Sequence, residues 1–213
     1  MLRKFFKHEK GITGLETAII LIAFVVVAAV FAYTALSAGL FSTQKSQEAV
    51  YAGLKEAQST LELRGGIIAT ANTTGSSGTI KQLSFIVSNA LGGEAIDFTA
   101  PTADNATGLA EADSSNVVVI NYQDEDQTVE DLYWTVSKLG NADEDDLLES
   151  NERFQITIGS ATAGSGAGNL CDALSNALTT KRTFNIEVLT PVGAVLQMER
   201  TTPAYIDTIM NLR

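Results

Sequence analysis

An α+β fold, with one long N-terminal helix followed by an antiparallel β-sandwich, is predicted by three features of this sequence. Residues 15–41 form an apolar run whose single charge, Glu16, stands at its head. No strong helix breaker lies between Gly14 and Gly39. Beyond Gly66 the hydrophobic period changes from helical to alternating, in short runs separated by Gly, Asn, Asp and Ser.

The apolar run is hydrophobic on all sides, as a helix surrounded by lipid or by other helices must be. About 20 apolar residues in helix span a bilayer core, so this segment can sit in a membrane. Residues 42–64 read as its amphipathic continuation, because Val50, Leu54, Ala57 and Leu61 recur at spacings of four, three and four. Gly65-Gly66 is expected to end the helix, since glycine takes a left-handed C-terminal conformation without penalty. A helix from Gly14 to Arg64 has a length of roughly 75 Å at ~1.5 Å per residue, far more than a bilayer needs. Such a helix has two homes: lipid for a single chain, and like helices in an assembly.

What precedes the run decides how it is processed. Residues 1–11 carry Arg3, Lys4, Lys7 and Lys10 against Glu9 alone. An ordinary secretory signal has an apolar body of ~7–15 residues with the cleavage site after it. Here the body is too long, and Gly11 stands at the junction of charged and apolar segments. Cleavage between Gly11 and Ile12 removes the charges and keeps the helix. The expected organisation is a leader over 1–11, a helix over 12–64 and a β domain over 65–213. The rival from another class is a secreted or surface-anchored binding module, released from a long signal peptide over 1–38 by a cut at Leu36-Ser37-Ala38.

Composition narrows the chemistry. The formal charge is −11, and loss of residues 1–11 removes four basic side chains and one acidic one, leaving −14. Such a field repels phosphate backbones, so no nucleic-acid partner is expected, and it keeps an exposed assembly soluble. The only histidine, His8, lies in the leader, and Cys171 is the only cysteine. No internal disulfide or multi-cysteine zinc site is available, and Cys171 is expected to be a small buried hydrophobe. The Gly-rich stretch 159–169 lacks the lysine of a phosphate loop and the spacing of a dinucleotide fingerprint. It reads as a surface loop, and no enzyme activity is expected.

Seven strands are expected, over 67–70, 80–87, 117–122, 132–137, 154–158, 184–189 and 194–198. Runs this short with turns between them suggest an antiparallel sandwich. The last two, joined by Pro191-Val192-Gly193, read as a hairpin. Residues 170–178 have helical spacing. The C-terminal stretch 201–213 is expected to return the chain across the sandwich, Pro203 excluding a central strand there.

These residues carry a resemblance. Lys10-Gly11 followed by ITGLETAIILIAFVVVAAVFAYTALSAGLFSTQKSQEAV resembles the start of archaellins, the archaeal flagellins of the type IV pilin-like superfamily. The stretch 184–212, FNIEVLTPVGAVLQMERTTPAYIDTIMNL, resembles their end. The resemblance implies an immunoglobulin-like outer domain and a class III leader cut by a prepilin-type signal peptidase. It further implies transient membrane insertion, then growth of a helical homopolymer outside the cell on the archaellum's assembly platform and motor. An adhesive type IV-like pilin is the alternative within the same superfamily.

Three further sites follow from particular residues. Glu16 admits two readings: an assembly role opposite the new amine on Ile12, or a capping box with Thr13, in which it bonds its own helix. The GLETAI segment here resembles type IV pilins more than archaellins with glycine at that place, and in those pilins the acid is thought to meet a neighbouring subunit's amine. Asn72-Thr73-Thr74 and Asn105-Ala106-Thr107 are N-glycosylation sequons in polar loops. The acidic stretch 141–152 offers calcium an oxygen at each position an EF-hand-like loop uses: Asn141, Asp143, Asp145, the Leu147 carbonyl, Glu149 and Glu152. Asp146 stands where such loops need glycine and the flanks are strands, so a full EF-hand is rejected. A looser calcium loop and a solvated acidic turn both remain open.

Overall fold

The structure, a computed structural model, describes residues 6–58, 60–90, 94–104, 107–159 and 168–212. The chain divides into two compact units, residues 1–52 and 53–213.

A single helix, α1, runs over Phe6–Gln58. Its start lies earlier than Gly14: Gly11 and Gly14 cost only about 1 kcal/mol each inside a helix, too little to stop one that runs on into an apolar segment. Its end lies earlier than Arg64. Strand β1 (Leu61–Leu63) already belongs to the second unit, and Leu61 is buried at 4% exposure whereas Val50 and Leu54 are 69% and 50% exposed. The expected helical seam is therefore broken at Leu61, and Gly65, with φ of +96°, turns the chain out of a strand rather than out of a helix. At Gly66 an added Cβ would lie 2.1 Å from the Asn211 Oδ1 atom, so any larger residue there displaces that side chain.

The strands that follow are β2 (Ile67–Thr73), β3 (Thr79–Asn89), β4 (Ile96–Asp97), β5 (Val119–Asp124), β6 (Thr128–Val129) and β7 (Trp134–Leu139). Next come β8 (Leu147–Leu148), β9 (Arg153–Ile158), the short helix α2 (Leu170–Ala173), β10 (Thr183–Leu189), β11 (Leu196–Thr201) and β12 (Ile209–Leu212). One sheet has the order β12-β2-β3-β9-β7, with β1 also paired to β3. A second has the order β11-β10-β5-β6, and β4 pairs with β8 alone. Every pairing is antiparallel. The chain crosses from β11 in one sheet to β12 in the other, as the proline in the connection suggests, and β12 takes an edge.

Alternation builds the core. Leu83, Phe85 and Val87 of β3, with Phe154, Ile156 and Ile158 of β9, are buried together with Ile120 and Tyr122 of β5 and Phe184, Ile186 and Val188 of β10. Phe98 meets Trp134 and Phe154 edge-on at 5.9 and 6.0 Å, and Tyr122 stacks on Phe184 at 6.0 Å. These geometries suit the ring quadrupoles.

The helix expected over 170–178 is only one turn long. Leu174 is already extended, with φ of −88° and ψ of 125°. Leu170 supplies the buried residue of that turn, so Cys171, expected inside, is half-exposed. Partial burial and then the neighbouring Asp172 carboxylate push its thiol pKa upward. Most of the Gly-rich loop, residues 160–167, lies outside the described residues.

Candidate functional site

The residues of α1 that make it a helix also leave its apolar side chains exposed. Between Leu15 and Phe41, fifteen large apolar side chains are exposed, from 55% at Val26 to 75% at Phe31. Burying one such side chain is worth ~1.5–3 kcal/mol, so the set amounts to roughly 20 kcal/mol or more. That exceeds the ~5–15 kcal/mol that stabilises a whole domain. Water is not a tenable environment for this surface. The stretch Gly14–Leu54 is long and apolar enough to cross a membrane.

Four of its hydroxyls are satisfied within the helix. Thr17 donates to the Gly14 carbonyl at 3.0 Å and Thr34 to the Phe31 carbonyl at 2.9 Å. Thr43 and Ser46 donate to the carbonyls of Leu40 and Ser42 at 2.9 and 3.0 Å. Polar groups bonded within the helix can enter a medium without water at little cost. Glu16 is the exception: an exposed carboxylate on the apolar segment. Because α1 begins at Phe6, residue 13 is an interior position of the helical backbone in the full chain rather than its first turn. Gly11 and Ile12 both lie within the helical backbone.

The structure does not gather the residues of the expected calcium loop. Glu152 is buried at 7% exposure, and its two carboxylate oxygens accept the N–H groups of Asp143 and Glu149 at 3.1 and 3.0 Å. Asp143 accepts from the Asp145 N–H at 3.0 Å, and Asp145 from the Leu147 N–H at 2.9 Å. Asn141 is exposed in the same turn. Leu147 belongs to β8, paired with β4, and Lys138 brings a positive charge 3.1 Å from Asp146. Among the described residues no three acidic side chains converge on one point. The Glu152 carboxylate and one oxygen each of Asp143 and Asp145 are engaged by the loop's own backbone, so the set as folded does not form a calcium cage.

Asn72 is exposed near the end of β2, where its amide donates to Thr79 Oγ1 at 3.4 Å. Asn105 lies outside the described residues.

Sequence reasoning missed one polar cluster. Tyr122 donates to Asp124 Oδ2 at 2.7 Å, and Asp124 Oδ1 accepts the N–H groups of Asp126 and Gln127 at 2.8 and 3.0 Å. The Gln127 amide bonds both Asp124, at 3.2 Å, and the Asn176 carbonyl, at 2.6 Å, while Arg182 pairs with Asp126. Burial raises the Asp124 pKa, but the Tyr122 hydroxyl and the Asp126 and Gln127 donors outweigh it and hold the carboxyl below its usual range. Burial, and then the bond to that carboxylate, pushes the Tyr122 phenol well above its own. The only trace in sequence is the turn-forming run Gln123-Asp124-Glu125-Asp126-Gln127.

Comparison with known proteins agrees with this geometry. Residues 11–200 match the family described as archaeal-type flagellin. Probable flagellin 1 of Archaeoglobus fulgidus is 36% identical over 214 residues, covering 98% of each chain. Probable flagellin 2 of the same organism is 38% identical over 209 residues, covering 94% of this chain and 93% of its own. Among solved structures, the archaeal flagellum of Methanospirillum hungatei strain JF1 aligns with a TM-score of 0.59 at 31% identity, over 93% of this chain and 98% of that one.

Proposed function

This chain belongs to the archaeal-type flagellin family, and on that premise we propose that it is the structural subunit of an archaeal flagellum filament, polymerising through α1 for swimming. Its role is structural, not catalytic. The observation that carries the reading is the exposed apolar surface of Leu15 to Phe41, too costly to leave in water. In the membrane, lipid covers it; in the filament, the same surface of other copies does. Because lipid is as apolar as protein, the exchange is driven by packing and satisfied hydroxyls rather than by further removal of water. Contacts between copies are heterologous and do not close, which gives an open polymer.

The leader 1–11 is cut between Gly11 and Ile12 by a prepilin-type signal peptidase. In support, the family match begins at residue 11, leaving the charged segment outside it. Cleavage creates an ammonium on Ile12, one helical turn before Glu16. A carboxylate in an apolar bundle costs several kcal/mol without a partner, so we assign Glu16 to pair with that amine on a neighbouring subunit. The mature subunit is extracellular, handed from the membrane to the filament at the assembly platform and motor. Asn72, exposed in its sequon, is a glycan acceptor in this reading.

Electron microscopy of sheared surface filaments, with intact-mass measurement of their subunit, tests the proposal. The expected result is filaments whose chain begins at Ile12. A subunit starting near Gly39 overturns it in favour of a signal peptide, and an uncut Met1 in favour of a permanent anchor.

A further inference from the structure

Resting on the filament reading, we propose that an apolar patch at one end of the outer face of β5, β10 and β11 packs against the sandwich of a second copy.

The patch departs from the rule that builds the rest of that face. In an antiparallel sheet packed on one side only, outward positions are polar. Ile120, Ile186, Val188 and Met198 point inward and are buried, so their neighbours along each strand point outward. Over most of the face these are Asn121 and Gln123 of β5, Asn185 and Glu187 of β10, and Gln197 and Glu199 of β11.

At one end the outward positions turn apolar. The register sets Val119 of β5 opposite Leu189 of β10. Val117 lies two residues before Val119, and Val195 leads into β11 at Leu196, whose partner is Val188. Val117 and Val195 are 44% and 47% exposed, while Val119 and Leu189 are half-buried. Pro191, exposed at the turn between β10 and β11, extends the patch. That turn is braced by Thr190 Oγ1, which donates to the Val192 carbonyl at 2.8 Å. The two runs that supply the patch, 114–123 and 188–198, carry no charge. Surface apolar residues scattered singly need no explanation, whereas a group gathered side by side marks a contact.

The occupant follows from what surrounds this face in a filament. Residues 65–213 carry 20 acidic and 7 basic side chains, and neither run contributes a Lys or Arg. That suits a lipid surface poorly, because apolar groups bind there together with basic ones. A second copy is the neighbour that a filament supplies, held in place by α1. Five side chains fall well short of the roughly 800 Å2 per partner buried by a stable free interface. The patch therefore acts on a copy already tethered, at high effective concentration. In an open polymer each copy offers this patch to the next and receives one from the copy before, so the contact repeats without closing.

The test uses the full chain in a host that assembles its filaments. With a photoreactive phenylalanine derivative in place of Val195, irradiation of sheared filaments is expected to give subunit dimers, their crosslink mapped by mass spectrometry to the sandwich of the second copy. Val117→Asp with Val195→Asp is expected to lower filament yield about 10-fold or more, because it buries unpaired carboxylates at every contact. Val117→Ile with Val195→Ile is expected to retain the yield. The urea midpoint of the sandwich is expected to be the same in both variants, which separates a lost contact from a folding defect. No subunit crosslink, one confined to α1, or one to lipid or to a different protein overturns the contact and leaves the filament reading in place. Absence of filaments from the unaltered chain overturns the filament reading and the contact with it.

Discussion

Phe31 and Phe85 are the same residue with opposite fates, 75% and 1% exposed. The first lies exposed on a helix, and the second sits between two sheets of its own unit. Apolar residues seek burial in both units; what differs is where the covering surface comes from. In the sandwich it is intramolecular, so the unit has a stability of its own. In α1 it is intermolecular, supplied by other copies in the filament.

The sharpest break in this comparison is a charge placed in the middle of α1. Val26→Asp puts an unpaired carboxylate into the surface shared by every copy, at a cost of several kcal/mol each. Filament yield is expected to fall by two orders of magnitude or more. The sandwich is expected to be unaffected, and its urea midpoint, followed by fluorescence of Trp134, the only tryptophan, checks that. A matching loss of midpoint would mean that the two units are not separate.

The converse change is Phe98→Ala. Phe98 is fully buried, with Trp134 and Phe154 edge-on to it, and truncating a core aromatic costs ~3–5 kcal/mol. Urea unfolding of the sandwich is expected to show that loss, while far-ultraviolet circular dichroism in detergent retains the α1 signal. Full loss of helix on unfolding the sandwich would show that α1 depends on it.

How much of this was legible in sequence follows from the same division. The apolar run and the alternating period beyond Gly66 are local patterns, and they read correctly. Leu61 misled because one residue can satisfy a helical seam and a strand at once: it is four residues from Ala57 and also alternates with Glu62 and Leu63. Which pattern wins is decided by β3, far along the chain, whose edge pairs with β1. The two-residue strands β4, β6 and β8 were missed because they exist only through their partners. Likewise, the carboxylates of 141–152 have calcium-like spacing, but spacing cannot say that Glu152 turns inward to bind two backbone N–H groups.

A smaller effect is expected from acid. The folded pKa of Asp124 is depressed, so its ionised form is the one the fold stabilises. That contribution is present above the unfolded aspartate value near ~3.9, and is lost as pH falls below it and through the depressed folded value. Asp124→Asn is expected to cost on the order of 1 kcal/mol at pH 7 and to flatten the fall in stability below about pH 4. Urea midpoints at several pH values check both. Parallel acid profiles for the variant and the unaltered chain would remove Asp124 as the cause.

The smallest expected effect is that of calcium. A loop that needs the ion would gain stability by mass action when calcium is added and lose it to a chelator. Here Glu152 is occupied by the N–H groups of Asp143 and Glu149, and Lys138 stands against Asp146, so the loop supplies its own partners. Melting curves of the full chain in detergent, with chelator and with calcium, are expected to coincide. Glu152→Gln is expected to lower the melting temperature equally in both, because it weakens bonds to the backbone rather than to an ion. A calcium-dependent rise abolished by Asp143→Ala with Asp145→Ala would show the reverse: that these carboxylates leave the backbone to gather around the ion.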